Sequence, residues 1–254
     1  MRSRYVDIDD RSEDLQDRMR SEPEIAADFL SKYELSWLYH ENALEGVVYT
    51  NQELELALAH QPLAEASFVQ TLQEIQNHKV AMDFIRDEAK SKKLKLSIAT
   101  AKKLYELLGA NIEGRSVAEY RKDMPLHRAY FHDIAQPARI EAGLKHLFDV
   151  FESADFKTFH PIQQAAKLHH GFMAVYPYTE NSGRVGRLLA NLVLLNEGYL
   201  PCIVHATDRQ RYYESLKGND STLRDLMIDS YDNALAQAEK FFDFAVAQRR
   251  KAAR

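Results

Sequence analysis

Apolar residues recur along most of this chain at steps of three and four, the period of a helix with one buried face. Residues 63–90 place Val69, Leu72, Ile75, Met82, Ile85 and Ala89 on such a stripe, and residues 221–248 repeat it with Leu223, Met227, Tyr231, Leu235, Ala238, Phe242 and Ala245. Shorter stripes predict helices over about 24–43, 51–59, 97–110, 137–152 and 159–175. The segment 183–196 is apolar nearly all round, which predicts a central helix buried on every side. Gly198 and Pro201 mark its end. The pattern predicts an all-α fold, with residues 1–62 as an N-terminal helical arm and 63–254 as the main domain. No internal repeat or low-complexity segment interrupts it.

The interval 111–136 breaks the helical pattern. It holds Gly114, Pro125 and scattered charges, and the apolar residues Tyr130, Phe131 and Ile134 suit a short β-hairpin.

The candidate chemistry lies just before the central helix, in Tyr176-Pro177-Tyr178-Thr179-Glu180-Asn181-Ser182-Gly183-Arg184-Val185-Gly186-Arg187. A polar loop opens a buried helix here, and free backbone N–H groups at a helix start attract anions. Cations in that place oppose the helix dipole, so two arginines on the first turn point to an anion between them. Arg184 and Arg187 stand three apart and share one face, where they could clamp phosphates with Asn181, Ser182 and Gly183. Glu180 suits either a cap for the helix or a divalent metal beside the phosphates.

Composition narrows the class. A net charge of −5 gives no general attraction to nucleic acid or to an anionic membrane. The single cysteine, Cys202, excludes an intrachain disulfide. The first residues are charged and lack the apolar core of a secretory signal, and no apolar run is long enough to span a bilayer. These features lead to the expectation of a soluble, cytoplasmic protein.

The loop also resembles the signature of the Fic (Fido) family, His-Pro-Phe-x-Asp/Glu-Gly-Asn-Gly-Arg-x-x-Arg. Pro177, Glu180, Gly183, Arg184 and Arg187 match it. Tyr176 stands at the catalytic histidine, Tyr178 at the phenylalanine, Asn181 at a glycine and Ser182 at the asparagine. Upstream, His169-x-x-Phe172 is similar to the family's lead-in helix. Downstream, Gly198-Tyr199-Leu200-Pro201 and Arg211-Tyr212-Tyr213 are similar to further segments. Near the N-terminus, Leu44-Glu45-Gly46 with Thr50 and Glu53 resembles the inhibitory motif Ser/Thr-x-x-x-Glu-Gly/Asn, with Glu41 at its Ser/Thr position. The core motif therefore spans 169–196.

The resemblance implies a Fic-like helical bundle with a β-hairpin flap, led into by Gly114 and Tyr120-Arg121, on which a protein target docks around residues 115–136. It implies binding of ATP, or another nucleotide, with Mg²⁺ held by Glu180, and transfer of AMP to a protein hydroxyl. In the family the histidine takes the hydroxyl proton as that oxygen attacks the α-phosphate, and an inhibitory glutamate, here Glu45, pairs with the second arginine, here Arg187, to block the γ-phosphate. His169 is expected to be a core histidine behind the loop, and Tyr212 and Tyr213 to be core residues, with adenine stacking the lesser alternative.

Tyr176 decides the chemistry. Histidine titrates near working pH, whereas a tyrosine of ordinary pKa is ionised in about one molecule in a thousand at pH 7, a penalty of ~4 kcal/mol. Three readings follow. The chain is a degenerate nucleotide-binding member with lost or strongly reduced AMP transfer; or a working transferase in which Tyr176 is a base of lowered pKa or itself the nucleophile; or a non-enzymatic helical interaction module.

Overall fold

The computed structural model describes residues 2–59, 66–115, 117–125 and 132–252. Eleven α-helices lie among them: α1 (Arg2–Ser21), α2 (Pro23–Leu44), α3 (Asn51–Leu58), α4 (Ala66–Glu88), α5 (Ile98–Leu108), α6 (Ile140–Phe151), α7 (Ala154–Lys157), α8 (Pro161–Val175), α9 (Ser182–Asn196), α10 (Arg209–Ser215) and α11 (Asp220–Ala252). No strand occurs among the described residues, so the fold is all-helical there. Tyr130 and Phe131 of the expected hairpin lie outside the described residues.

Helix α9 is the axis of the bundle, as its all-round apolar pattern predicts: every residue from Ser182 to Leu194 is buried. It packs chiefly on α8, with α4 and α5 on its other sides, while α6 and α11 cover the outer face of α8. The stripe on α11 faces inward, with Leu223, Met227, Tyr231, Leu235, Ala238 and Phe242 all buried. On α4, Leu72, Ile75, Met82 and Ile85 are buried but Val69 is 57% exposed. A step of three falls short of a full turn, so two such steps carry Val69 about 120° around the helix from Ile75. No helix among the described residues is long and apolar enough to cross a membrane.

Helix α1 escapes a reading of apolar stripes because charge does much of its docking. Ile8 and Leu15 are buried, and Tyr5 and Met19 pack at the core's edge. Between them Arg4, Arg11 and Arg18, seven apart, meet Asp229, Glu239 and Asp243 of α11 at 2.7, 2.8 and 2.7 Å. Seven residues is two helical turns, so the arginines form one row along a neighbour.

Two joints place α2 over the start of α9. Thr50 and Glu53 form a reciprocal capping box that starts α3. Gly46, at φ +88°, ends α2 in a conformation that favours glycine. The last carbonyl of α2, that of Leu44, accepts hydrogen bonds from Arg209 Nε at 2.8 Å and the Tyr213 hydroxyl at 3.0 Å. The C-terminus of α2 is thus anchored to α10, and side chains of its last turns reach the start of α9.

Candidate functional site

The loop before α9 is held between two left-handed residues. Tyr176 caps α8 at φ 48° and Asn181 caps α9 at φ 58°. Asparagine tolerates this region, but a bulky tyrosine there costs about 1–2 kcal/mol. The buried Arg121 holds Tyr176 in place: its Nε donates to the Tyr176 carbonyl at 2.7 Å, its backbone N–H to Pro177 at 2.9 Å, and its Nη2 to the carbonyl of Ala135. The Tyr176 ring meets the ring of His132 edge-on, centroids 6.1 Å apart. Sequence reasoning used Arg121 only as a landmark, yet it ties the interval after α5 to the end of α8.

Ser182 is fully buried and works inside the loop. Its hydroxyl accepts from the Tyr178 N–H at 2.9 Å and donates to the Tyr178 carbonyl at 2.8 Å. The Tyr178 ring is buried against Tyr105, centroids 4.3 Å apart. Glu180 lies at the rim, half exposed, and binds Arg115 Nε at 2.6 Å. Arg115 in turn reaches Glu74 at 3.1 Å. Glu180 offers one carboxylate, with Oε2 already on Arg115, which suits Mg²⁺ only when phosphates and water complete the shell. Among the described residues no group of three or more His, Cys, Asp or Glu side chains is placed to hold a metal.

Both arginines point into the interior toward α2. Arg184, 9% exposed, donates from Nη1 to Asn181 Oδ1 at 2.8 Å and from Nη2 to Asn42 Oδ1 at 2.9 Å. Its Nε–H is buried and has no partner among the described residues. Arg187, 5% exposed, donates from Nε to Glu41 Oε2 at 2.6 Å and from Nη2 to Glu45 Oε1 at 2.7 Å. Its Nη1 donates to the Tyr212 hydroxyl at 3.1 Å. The expected partner Glu45 is therefore beside Arg187, and a second acid, Glu41, is beside it as well. Burial pushes the Glu45 carboxyl up, but Arg187 and Arg184 outweigh it and leave its pKa lowered.

Gly183 makes this approach possible. A Cβ there would stand 2.5 Å from Glu45 Oε1, so the carboxylate sits directly on the first turn of α9. Asn42 was not singled out from the sequence, and Glu41 only as a departure from a motif. The available signal was the spacing of Glu41 and Glu45: two acids at i and i+4 repel on one helix face unless a cation lies between them.

Behind the arginines, His169 Nε2 lies 2.9 Å from the Tyr212 hydroxyl. Arg187 Nη1 donates to the same oxygen, and burial beside that guanidinium favours the neutral imidazole. Burial, followed by Arg187, lowers the His169 pKa to about 3. Burial and the stacked His205 lower that of His40 to about 4. The unfolded chain takes up these protons near pH 6.5 and the folded chain only near pH 3–4, so stability rises with pH across that window and is lost as pH falls. The melting temperature is expected to drop between pH 6.5 and 4. His169→Gln, which can still accept from Tyr212, should flatten that slope; an unchanged slope refutes the assignment.

Residues 95–194, from just before α5 into α9, match the model of the Fic/DOC family. The protein adenylyltransferase Fic of Nematostella vectensis is 26% identical over 187 residues, covering 70% of this chain and 42% of that protein. The protein adenylyltransferase Fic of Drosophila melanogaster is 25% identical over 192 residues, covering 74% and 38%. The chain thus spans about two fifths of the length of these curated relatives. A crystal structure of a Fic-domain signaling protein from Bacteroides thetaiotaomicron superposes with a TM-score of 0.74 at 23% identity, covering 91% of this chain and 97% of its own. Fic-1 from C. elegans gives 0.73 at 20% identity, covering 97% and 73%. The shared fold is the Fic-like helical bundle.

Proposed function

We propose that this protein binds a nucleotide by its phosphates at the N-terminus of α9 and has lost, or retains only weakly, the AMP transfer of the adenylyltransferases it resembles. The observation that carries the reading is Arg184. A guanidinium at the positive end of a helix, with a buried Nε–H left unpartnered among the described residues, is a donor in want of an anion. Asn181, Ser182, Gly183 and Arg187 complete the cradle, and Glu45 occupies it as an autoinhibitory carboxylate. Glu180 would hold Mg²⁺ once phosphates are present, and the ion would neutralise part of their charge. Tyr176 is the reason for weak transfer, since it stands where the family's catalytic histidine would take the hydroxyl proton. A protein target would dock on the interval 115–136, and 1–62 would act as the regulatory arm of a main domain over 63–254.

Calorimetric titration of AMP and ATP, with and without Mg²⁺, tests this directly. Arg184→Ala is expected to weaken whichever nucleotide binds by about 1.5–3 kcal/mol, the range for a charge-assisted hydrogen bond. Equal binding by wild type and variant, or no binding by either, refutes the cradle.

A further inference from the structure

We infer that Glu41 sets the class of nucleotide this cradle accepts, a nucleoside monophosphate in preference to a triphosphate, by keeping Arg187 neutralised whether or not Glu45 withdraws. The inference rests on the proposed nucleotide site and deepens it.

The two acids on Arg187 differ in mobility. Glu45 caps the end of α2 beside the turn at Gly46, and its side chain is 29% exposed, so it can swing out. Glu41 lies one turn inside α2 and is 2% exposed. Both of its carboxylate oxygens are engaged, Oε2 by Arg187 Nε at 2.6 Å and Oε1 by the Trp37 indole N–H at 3.4 Å. Its backbone carbonyl also accepts from Arg187 Nη2 at 3.4 Å. Withdrawing Glu41 from Arg187 would break both of its carboxylate contacts and strand its charge in the interior, whereas withdrawing Glu45 needs only rotation of one side chain toward solvent.

Charge then decides what fits. With Glu45 in place, Arg187 carries one positive charge against two carboxylates. With Glu45 gone, the Arg187–Glu41 pair is neutral. Arg184 is different, because its side-chain partners Asn181 and Asn42 are neutral amides and it keeps a full charge. At the first turn of α9 the opened cradle therefore presents the charge of Arg184 and the positive end of the helix, a seat for one phosphoryl group. The outer phosphates of a triphosphate would meet a neutral pair with a fixed carboxylate in it, and gain no clamp there.

The position of Glu45 sharpens the contrast. Its Oε1 sits on the first turn of α9 itself, so removing it uncovers the seat that any phosphate would use. Glu45→Gly is thus expected to tighten AMP and ATP alike, and only loss of the Glu41 charge should favour ATP selectively.

The test is titration of AMP and ATP, with and without Mg²⁺, against wild type, Glu41→Gln, Glu45→Gly and the double variant. Wild type is expected to bind AMP about tenfold or more tighter than ATP, one lost charge-assisted bond at about 1.4 kcal/mol per decade. Glu45→Gly should keep that ratio within about threefold while strengthening both ligands. Glu41→Gln should shrink the ratio by about tenfold, through tighter ATP with little change in AMP. It leaves Glu45 as a counter-charge for Arg187, so Arg187 is not left unpaired. The wild-type ratio needs no variant and stands as a test if Glu41→Gln fails to fold. ATP bound as tightly as AMP by wild type, or a ratio abolished by Glu45→Gly alone, overturns the inference and leaves the nucleotide site intact. Binding of neither nucleotide by any of the proteins removes the site and this inference together.

Discussion

Arg187→Met is expected to destabilise the fold by about 3–5 kcal/mol, the cost of leaving a buried charge without its partner. Glu41 is 2% exposed and has Arg187 as its ion-pair partner at 2.6 Å, so it would face the interior uncompensated. The Tyr212 hydroxyl would lose a donor at the same time. Urea unfolding measures the effect as a lowered midpoint at unchanged slope. The double variant Glu41→Leu/Arg187→Met should recover most of the loss, because an apolar pair of similar volume often replaces a buried ion pair at little cost. If the double variant is as unstable as the single one, the loss comes from packing and not from the stranded carboxylate. The Glu45 contribution has a pH signature of its own. Its pKa is lowered in the folded state, so its stabilisation is full above the ordinary carboxylate range and is lost as pH falls through the folded value.

AMP transfer should rise by about 10²-fold when a histidine is placed at position 176 in an opened cradle, the lower end of what a positioned general base contributes. The suitable background is Glu41→Gln/Glu45→Gly, which admits the triphosphate, with Tyr176→His and Asn181→Gly added. Asn181 already sits at φ 58°, where glycine is at ease, and its loss also frees Arg184 Nη1 for phosphate. Ser182→Asn, which would complete the family signature, carries a packing cost of about 1–3 kcal/mol because Ser182 is fully buried and bridges both backbone groups of Tyr178. Transfer is read as label from α-phosphate-labelled ATP onto protein, the chain itself included. Equal label with tyrosine and histidine at 176 would place the block elsewhere than the missing base. Strong labelling by the unmodified protein would instead make Tyr176 a working base or nucleophile.

The helical bundle was largely legible along the chain, because burial on one face writes itself as a period. Leu223 to Phe242 and Leu72 to Ile85 lie on the predicted faces, and the all-round apolar run of α9 sits at the centre. The sequence also singled out Arg184 and Arg187, which the structure buries on the first two turns of α9. Helix α1 was not, because much of its docking rests on arginines whose partners lie more than two hundred residues away. The same holds within the site. By itself the sequence determined which polar and charged residues stand at the start of α9, since that depends on residue type and local spacing. Only the tertiary structure decided what meets them here: Glu41 and Glu45 on Arg187, Asn42 on Arg184, Arg115 on Glu180. Ion pairs form between side chains that packing brings together, and the approach of α2 to α9 is set by the core beneath them, which local sequence does not encode.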